Sequence, residues 1–316
     1  MKEGSRRAVI TAFFANLGIA LAKFVAFLFT GAASMLAEAV HSVADTANQG
    51  LLLLGNARAS RAPTPEHPFG FARERYFWAF VVSVVLFTLG ALFACYEGVQ
   101  KLRHPHAISS PEWAFGVLFV AIVFEGFAFR TAARAANPLR RGASWWAFIR
   151  RAKSPELPVV LLEDSGALLG LSFALVGVTL ALLTGDARFD ALGSIAIGLL
   201  LGAIAIVLAV EMKSLLIGES AAPRQQRAIA AAIEGRSEVR RLIDLRTQHL
   251  GPEQLLVCAK VELDPGLTFP RVVEAIDAIQ AGVRTSVPAA DLIYLEPDVL
   301  DPGSEPYSGR LDPPIP

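Results

Sequence analysis

Six stretches of this chain are mostly apolar, and each is long enough to cross a bilayer. They are Ala8–Thr30, Ser34–Gly55, Tyr76–Leu102, Trp113–Ala133, Leu157–Thr184 and Phe189–Val210. About 20 mostly apolar residues span the hydrocarbon as a helix. Composition agrees. Hydrophobic residues make up 53 % of the 316 and charged residues 18 %, against about a quarter charged in soluble domains. The first stretch is followed at once by another, which reads as a retained span rather than a cleaved signal. Net charge is zero, so nothing points to nucleic acid. Cys95 and Cys258 lie far apart with no CxxC spacing, which supports neither a disulfide framework nor a thiolate cluster.

The charges that remain are unevenly placed. Arg58, Arg61, Arg73 and Arg75 follow the second stretch; Arg134, Arg140, Arg141, Arg150, Arg151 and Lys153 follow the fourth; Lys2, Arg6 and Arg7 precede the first. The opposite side offers Lys101, Arg103 and Arg188. The positive-inside rule then puts both termini in the cytoplasm, as an even number of spans requires. Beyond Lys213 the composition becomes ordinary, so a soluble domain is expected, followed by a Pro-rich disordered tail.

Ionisable groups in hydrocarbon cost a few kcal/mol each on insertion scales, so each suggests a function. The second stretch concentrates them: Glu38, His41 and Asp45, with Asn48 one turn on. At 100° per residue the four fall within an arc of about 80°. The fifth stretch adds Glu163 and Asp164, and the first adds Asn16 and Lys23 on one face. One imidazole with two or more carboxylates suits a divalent cation such as zinc. His41 and Asp45, at i and i+4, reach one ion from one helix, and Asp164 is the natural donor from a second. Such a site binds deprotonated ligands and so releases protons on loading, which permits exchange of metal for protons. Two other readings stand beside this one. The polar groups are hydrogen-bonding links between helices, or they belong to an intramembrane metal-dependent hydrolase. For the last there is no HExxH, GxSxG or phosphate loop.

The run Ala15-Asn16-Leu17…Lys23…Thr30-Gly31-Ala32-Ala33-Ser34…Glu38…His41…Asp45 resembles the first two spans of the cation diffusion facilitator family. His67-Pro68-Phe69-Gly70-Phe71-Ala72-Arg73-Glu74 is similar to that family's HPxGxxRxE loop; Asp190–Ser194 and Leu215–Ala221 also fit. The resemblance covers about residues 5–298. It implies a homodimeric metal–proton antiporter whose ion sits between the second and fifth spans, with two ligands from each. His41 and Asp45 match the second-span pair, and Asp164 the last residue of the fifth-span pair. The fifth-span His position is Val160, which cannot ligate. Glu163 is the expected substitute although it lies about 100° around the helix from Asp164; otherwise water or Glu38 completes the shell, with Asn48 as a further auxiliary. The Glu163-Asp164 pairing resembles a divergent, zinc transporter 9-like branch. A carboxylate in place of imidazole hardens the site and leaves manganese and iron open. The loop site of some members keeps only His67 here, with Phe71 at the second His position, so His67 reads as a turn residue. Arg73 and Glu74 are expected in salt bridges between helices or protomers.

The soluble segment reads as helix Arg224–Arg236, strands Leu242–Leu250 and Leu255–Asp264, helix Phe269–Thr285 with Val272, Val273, Ile276 and Ile279 inward, and strand Asp291–Glu296. That αββαβ order is the one the resemblance implies, with a ferredoxin-like fold. Ile243, Lys260 and Tyr294 stand where some relatives carry metal-binding histidines, so the domain is expected to dimerise without tight metal binding. His249 reads as a surface residue. Trp145 and Trp146 read as an interfacial anchor, His104 and His106 as a loop, and Glu97 and Glu125 as partners of Lys23 or water-lining groups. Cys95 reads as an ordinary buried thiol.

The expectation is therefore an all-α membrane domain of six transmembrane helices (residues 1–215), a cytoplasmic α+β ferredoxin-like domain (216–300) and a disordered tail (301–316). The function expected is efflux of a divalent cation as transported substrate, zinc first and manganese or iron next, by a homodimer with proton antiport and no permanent cofactor. The membrane expected is a bacterial inner membrane. The alternatives are a metal sensor or scaffold that transports nothing, and the hydrolase.

Overall fold

The computed structural model describes residues 3–105, 108, 111–140, 142–300 and 307, with side chains from Leu17 onward, Pro111 excepted. The expectations for Lys2, for the side chains of Arg6, Arg7 and Asn16, for His106, Arg141 and the tail other than Tyr307 lie outside the described residues. The chain divides into two compact units, residues 1–61 with 74–213, and residues 62–73 with 214–316.

The first unit is helical. Its long helices are α1 (Glu3–Thr30), α2 (Ala33–Ala59), α3 (Glu74–Arg103), α4 (Pro111–Arg140), α5 (Glu156–Thr184) and α6 (Arg188–Ile217). Each runs a few residues past its apolar window, because a helix continues into the interface until a turn residue ends it. α3 contains a π-helical segment, Leu86–Leu92, a local widening of the kind that often accompanies function. Among the described residues four helices, α3 to α6, are long and apolar enough to cross a membrane, with mean hydropathies of 2.3, 1.8, 2.2 and 2.6 over their most apolar stretches. In α1 the described apolar part is Leu17–Thr30. α2 has the length, at 27 residues, but its polar stripe lowers its hydropathy. That stripe faces protein: Glu38, His41 and Asn48 are fully buried, while Val43 and Leu54 face outward. A short helix, Trp145–Arg151, is capped by the Ser144 hydroxyl, which accepts from the Ala147 N–H. The Arg140 guanidinium lies over Trp145, 4.6 Å from the ring centre.

Small residues bring α3 and α6 together, as expected where lipid supplies no hydrophobic drive between helices. A Cβ on Gly198 would stand 2.8 Å from the Ala91 carbonyl oxygen and 2.5 Å from Cys95 Sγ, so only glycine fits there. The Ser194 hydroxyl donates to the Ala94 carbonyl at 2.9 Å.

The α1–α2 turn is held by a buried polar staple. Gly31 takes φ +60°, a conformation glycine adopts without the Cβ penalty. Asp190, in the first turn of α6, accepts from the Ala33 N–H at 2.8 Å, from the Ser34 N–H at 3.4 Å and from the Ser34 hydroxyl. A carboxylate there satisfies exposed N–H groups at the start of α2. Lys101 pairs with Asp190 at 2.8 Å and donates to the Gly31 carbonyl at 2.8 Å. Both side chains are at most 1 % exposed. Lys101 is thus not a loop charge, as the count of basic residues had it, but a buried partner of Asp190. It was legible as a charge on its side of the membrane but not as a buried one.

The second unit has the order α7 (Pro223–Glu234), β1 (Val239–Gly251), β2 (Gln254–Leu263), α8 (Phe269–Ser286) and β3 (Ala290–Pro297). The sheet order is β1-β2-β3, with β1 antiparallel and β3 parallel to the central strand. Alternation in β2 sends Leu255, Val257, Ala259 and Val261 to one face, where they meet Ile229 and Ile233 of α7 and Ile279 and Val283 of α8. Of the expected Val272, Val273, Ile276 and Ile279, Ile279 is fully buried, and the buried stripe of α8 is Ala275, Ile279 and Val283; Val272 and Ile276 are half-buried and Val273 is 42 % exposed. Two valines in succession cannot share a 3.6-residue stripe, and the smaller Ala275 takes the core position. His249 is likewise not a surface residue. It is 2 % exposed, its N–H donates to the Glu219 carbonyl at 2.8 Å, and its Nδ1 lies 3.3 Å from the Gly251 carbonyl oxygen. Lys260 pairs with Glu296 and Asp298 at 3.2 and 2.8 Å. Its hydrogen bond and charge hold the Asp298 carboxyl below the usual range. Tyr307, the described residue of the tail segment, donates its N–H to the Leu242 carbonyl at 3.2 Å.

Candidate metal centre

The polar stripe of α2 meets α1 and α5 of the first unit through specific contacts. Nearest the α1–α2 turn, Lys23 of α1 pairs with Glu38 at 3.1 Å and donates to the Ser42 hydroxyl at 2.7 Å. Both charged side chains are fully buried. A buried pair of this kind costs heavily if one partner is removed. Lys23 therefore has Glu38 as its ion-pair partner, rather than the expected Glu97 or Glu125. The second carboxylate oxygen of Glu38, Oε1, is buried and makes no hydrogen bond. It lies against Gly170 of α5, where any Cβ would collide with it; glycine at 170 makes the room for this carboxylate.

One turn further along α2, His41 Nδ1 lies 3.5 Å from Asp45 Oδ1. The imidazole is fully buried, and neither ring nitrogen has a hydrogen-bond partner; Asp45 Oδ1 lacks one too. Buried polar groups are normally hydrogen-bonded, so these atoms form an unsatisfied set of one nitrogen-bearing ring and one carboxylate. Another turn on, the Asn48 amide donates to Glu163 Oε1 of α5 at 2.7 Å, and this bond ties α2 to α5.

Between these helices is a small polar cavity of about 20 Å³. Its lining includes Ser42 and Asp45 of α2, Glu125 of α4, and Val160, Glu163 and Asp164 of α5. That is room for one water molecule or a bare ion. The structure thus brings Asp45, Glu163 and Asp164 to one cavity. Glu163 and Asp164 both reach it despite their angular separation, because the cavity is flanked by helices on more than one side of α5. His41 meets the lining through Asp45, 3.5 Å from its Nδ1; Glu38 and Asn48 meet it through Lys23–Ser42 and through Glu163. Among the described residues no three His, Cys, Asp or Glu side chains already converge tightly enough to coordinate one ion. A larger groove of about 530 Å³, lined by residues such as Trp113, Gly116 and Val120, is almost wholly apolar and offers little to a cation.

Glu125 is the residue whose place the sequence did not make plain. Its signal was there, an ionisable side chain in the middle of an apolar span, but nothing local says which neighbouring helix it faces. Outside the cavity, Glu74 has a partner within its own helix, and His67 is in a turn as expected. Glu74 accepts from its own helix's Trp78 indole N–H at 2.7 Å. The inter-helix ion pair of this region is Arg75 with Glu156, at 2.6 Å. His67 sits in a tight turn, exchanging backbone hydrogen bonds with Thr64 at 3.0 and 3.2 Å, with its ring 4.6 Å from that of Phe71.

Residues 9–217 match the family model described as the cation efflux transmembrane domain. The chain is 37 % identical over 247 residues to the human "Proton-coupled zinc antiporter SLC30A9, mitochondrial", a match covering 77 % of this chain and 43 % of that protein. The Xenopus laevis counterpart is 35 % identical over 92 % of this chain and 53 % of its own length. The chain thus spans about half the length of these curated relatives. The "Cation-efflux pump FieF" of Pectobacterium atrosepticum is 26 % identical over 96 % of this chain and 97 % of its own. With the family model covering most of its length, the chain is an integral membrane protein of the cation efflux (cation diffusion facilitator) family, related to the SLC30A9 antiporters.

Proposed function

We propose that this protein exports a divalent cation, zinc first, from the cytoplasm by proton antiport. The observation that carries the reading is one polar cavity shared by carboxylates of two helices, Asp45 of α2 and Glu163 and Asp164 of α5. The buried and unsatisfied His41 has its Nδ1 3.5 Å from Asp45 Oδ1. Nitrogen and oxygen donors of this kind suit zinc, manganese and iron. Two relatives have names of the same sense, a zinc antiporter and a cation-efflux pump.

In this reading the ion reaches Asp45, Asp164, Glu163 and His41 from the cytoplasm. Their deprotonated forms bind it, and protons arriving from the far side displace it. Asn48 orients Glu163 through its amide. Glu38 and Lys23 neutralise each other beside the path, and through Ser42 they fix the α2 backbone at the cavity. All six long helices cross the membrane, α1 and α2 included, because α2 keeps its polar face on protein. Both termini lie in the cytoplasm. The asymmetry of basic residues supports this, and it grows once Lys101 is counted as buried. The second unit is a ferredoxin-like dimerisation domain of residues 216–300, and the membrane is a bacterial inner membrane.

Zinc uptake into liposomes that contain the purified protein, driven by a pH gradient, tests the reading. Asp45→Asn and Asp164→Asn are each expected to reduce the flux by at least about 100-fold while the protein elutes as before. Flux that survives both substitutions overturns the assignment, and gradient-independent flux overturns the antiport.

A further inference from the structure

We propose that Glu125 of α4 is a further ligand to the transported cation, standing in for the imidazole that Val160 cannot supply. This rests on the functional reading above and goes beyond it by taking the site to a third helix.

Val160 is part of the cavity lining. A branched alkyl side chain there leaves one side of the cavity without a donor. Glu125 lines the same cavity from α4, together with Asp45, Glu163 and Asp164. Among the described residues no ion pair involves Glu125, and Lys23 is committed to Glu38 and Ser42. Four carboxylates from three helices around room for a single ion would repel one another if left without a cation or protons. An acidic cluster alone does not make a site. Here a second observation stands beside the carboxylates: His41 is fully buried with no hydrogen bond on either nitrogen, and its Nδ1 lies 3.5 Å from Asp45 Oδ1 of the cluster, so an unsatisfied nitrogen donor adjoins it.

The chemistry has a direct consequence. A shell of four carboxylates and one imidazole is harder than a balanced histidine–aspartate shell, and it shifts preference toward manganese and iron relative to zinc. It also needs Glu125 to move in, since the donors do not yet converge. A glutamate, with three rotatable bonds, can make that movement by changing rotamer rather than by tilting α4.

The test is binding of Mn2+ and Zn2+ separately to the purified full-length protein in detergent by titration calorimetry. The proteins compared are wild type, Glu125→Gln, Glu125→Asp, Asp45→Asn and Val160→His combined with Glu125→Gln. Glu125→Gln keeps the side chain's shape. It is expected to weaken Mn2+ at least about tenfold and Zn2+ less, so that the Zn2+/Mn2+ preference rises. Adding Val160→His is expected to restore zinc but not manganese. A purely structural role for Glu125 would not move the metal preference. If Glu125→Gln binds both ions as wild type does while Asp45→Asn loses them, Glu125 is not a ligand and the functional reading stands. If neither substitution changes binding, the functional reading itself falls. Should Glu125→Gln fail to fold, the preference of Glu125→Asp decides, and an unchanged ratio overturns the proposal.

Discussion

Replacing Lys101 by Met keeps an unbranched apolar stem and removes only the ammonium. Asp190 then keeps the Ala33 and Ser34 donors but loses its counter-charge, and the Gly31 carbonyl loses its donor. Both partners are at most 1 % exposed, so water cannot take over. Removing one member of such a buried pair costs about 3–5 kcal/mol. For a unit of some 200 residues, where 1 kcal/mol corresponds to roughly 2–4 °C, Tm should fall by about 6–20 °C. Asp190→Asn is expected to cost a similar amount for the opposite reason, since it strands the ammonium. The double substitution leaves no buried charge. Its cost should therefore be about 2–3 kcal/mol less than the sum of the two single costs. Thermal unfolding in detergent, followed by circular dichroism, gives all three numbers. Single variants within about 1 kcal/mol of wild type, or strictly additive losses, would refute the staple as an energetic unit.

Two further outcomes follow from packing. Gly170→Ala drives a methyl group into Glu38 Oε1, which Lys23 holds in place; a loss of about 1–3 kcal/mol is expected from such overpacking. A change below about 0.5 kcal/mol in the same unfolding assay would show that Glu38 is not so held. In the second unit, Ile279→Ala empties a fully buried core position at a cost of about 2–5 kcal/mol. Amide exchange along β2 of the intact chain should report that loss, and unaltered protection there would contradict the core described.

The comparison between sequence and structure turns on how local each signal is. His41, Asp45 and Asn48 could be assigned to one face from spacing alone, because a single helix fixes their angles. The order αββαβ was readable for the same reason, since turn residues and alternation are properties of short segments. The role of α8 was harder to read, as a stripe of valines and isoleucines fits two nearby faces almost equally well. Only the packed sheet selects Ala275, Ile279 and Val283. His249 was misread as exposed because one polar residue at a strand end carries no mark of burial.

By itself, the sequence determined the apolar helices, their polar stripe and the family, because hydropathy, periodicity and motif order are written along the chain. Only the tertiary structure decided that Lys23 answers Glu38, that Lys101 answers Asp190, and that Glu125 shares a cavity with Asp45, Glu163 and Asp164. Those pairings join residues from separate helices, and helix rotation and approach are set by close contacts such as Gly198 against Ala91, which leave no periodic trace in either segment.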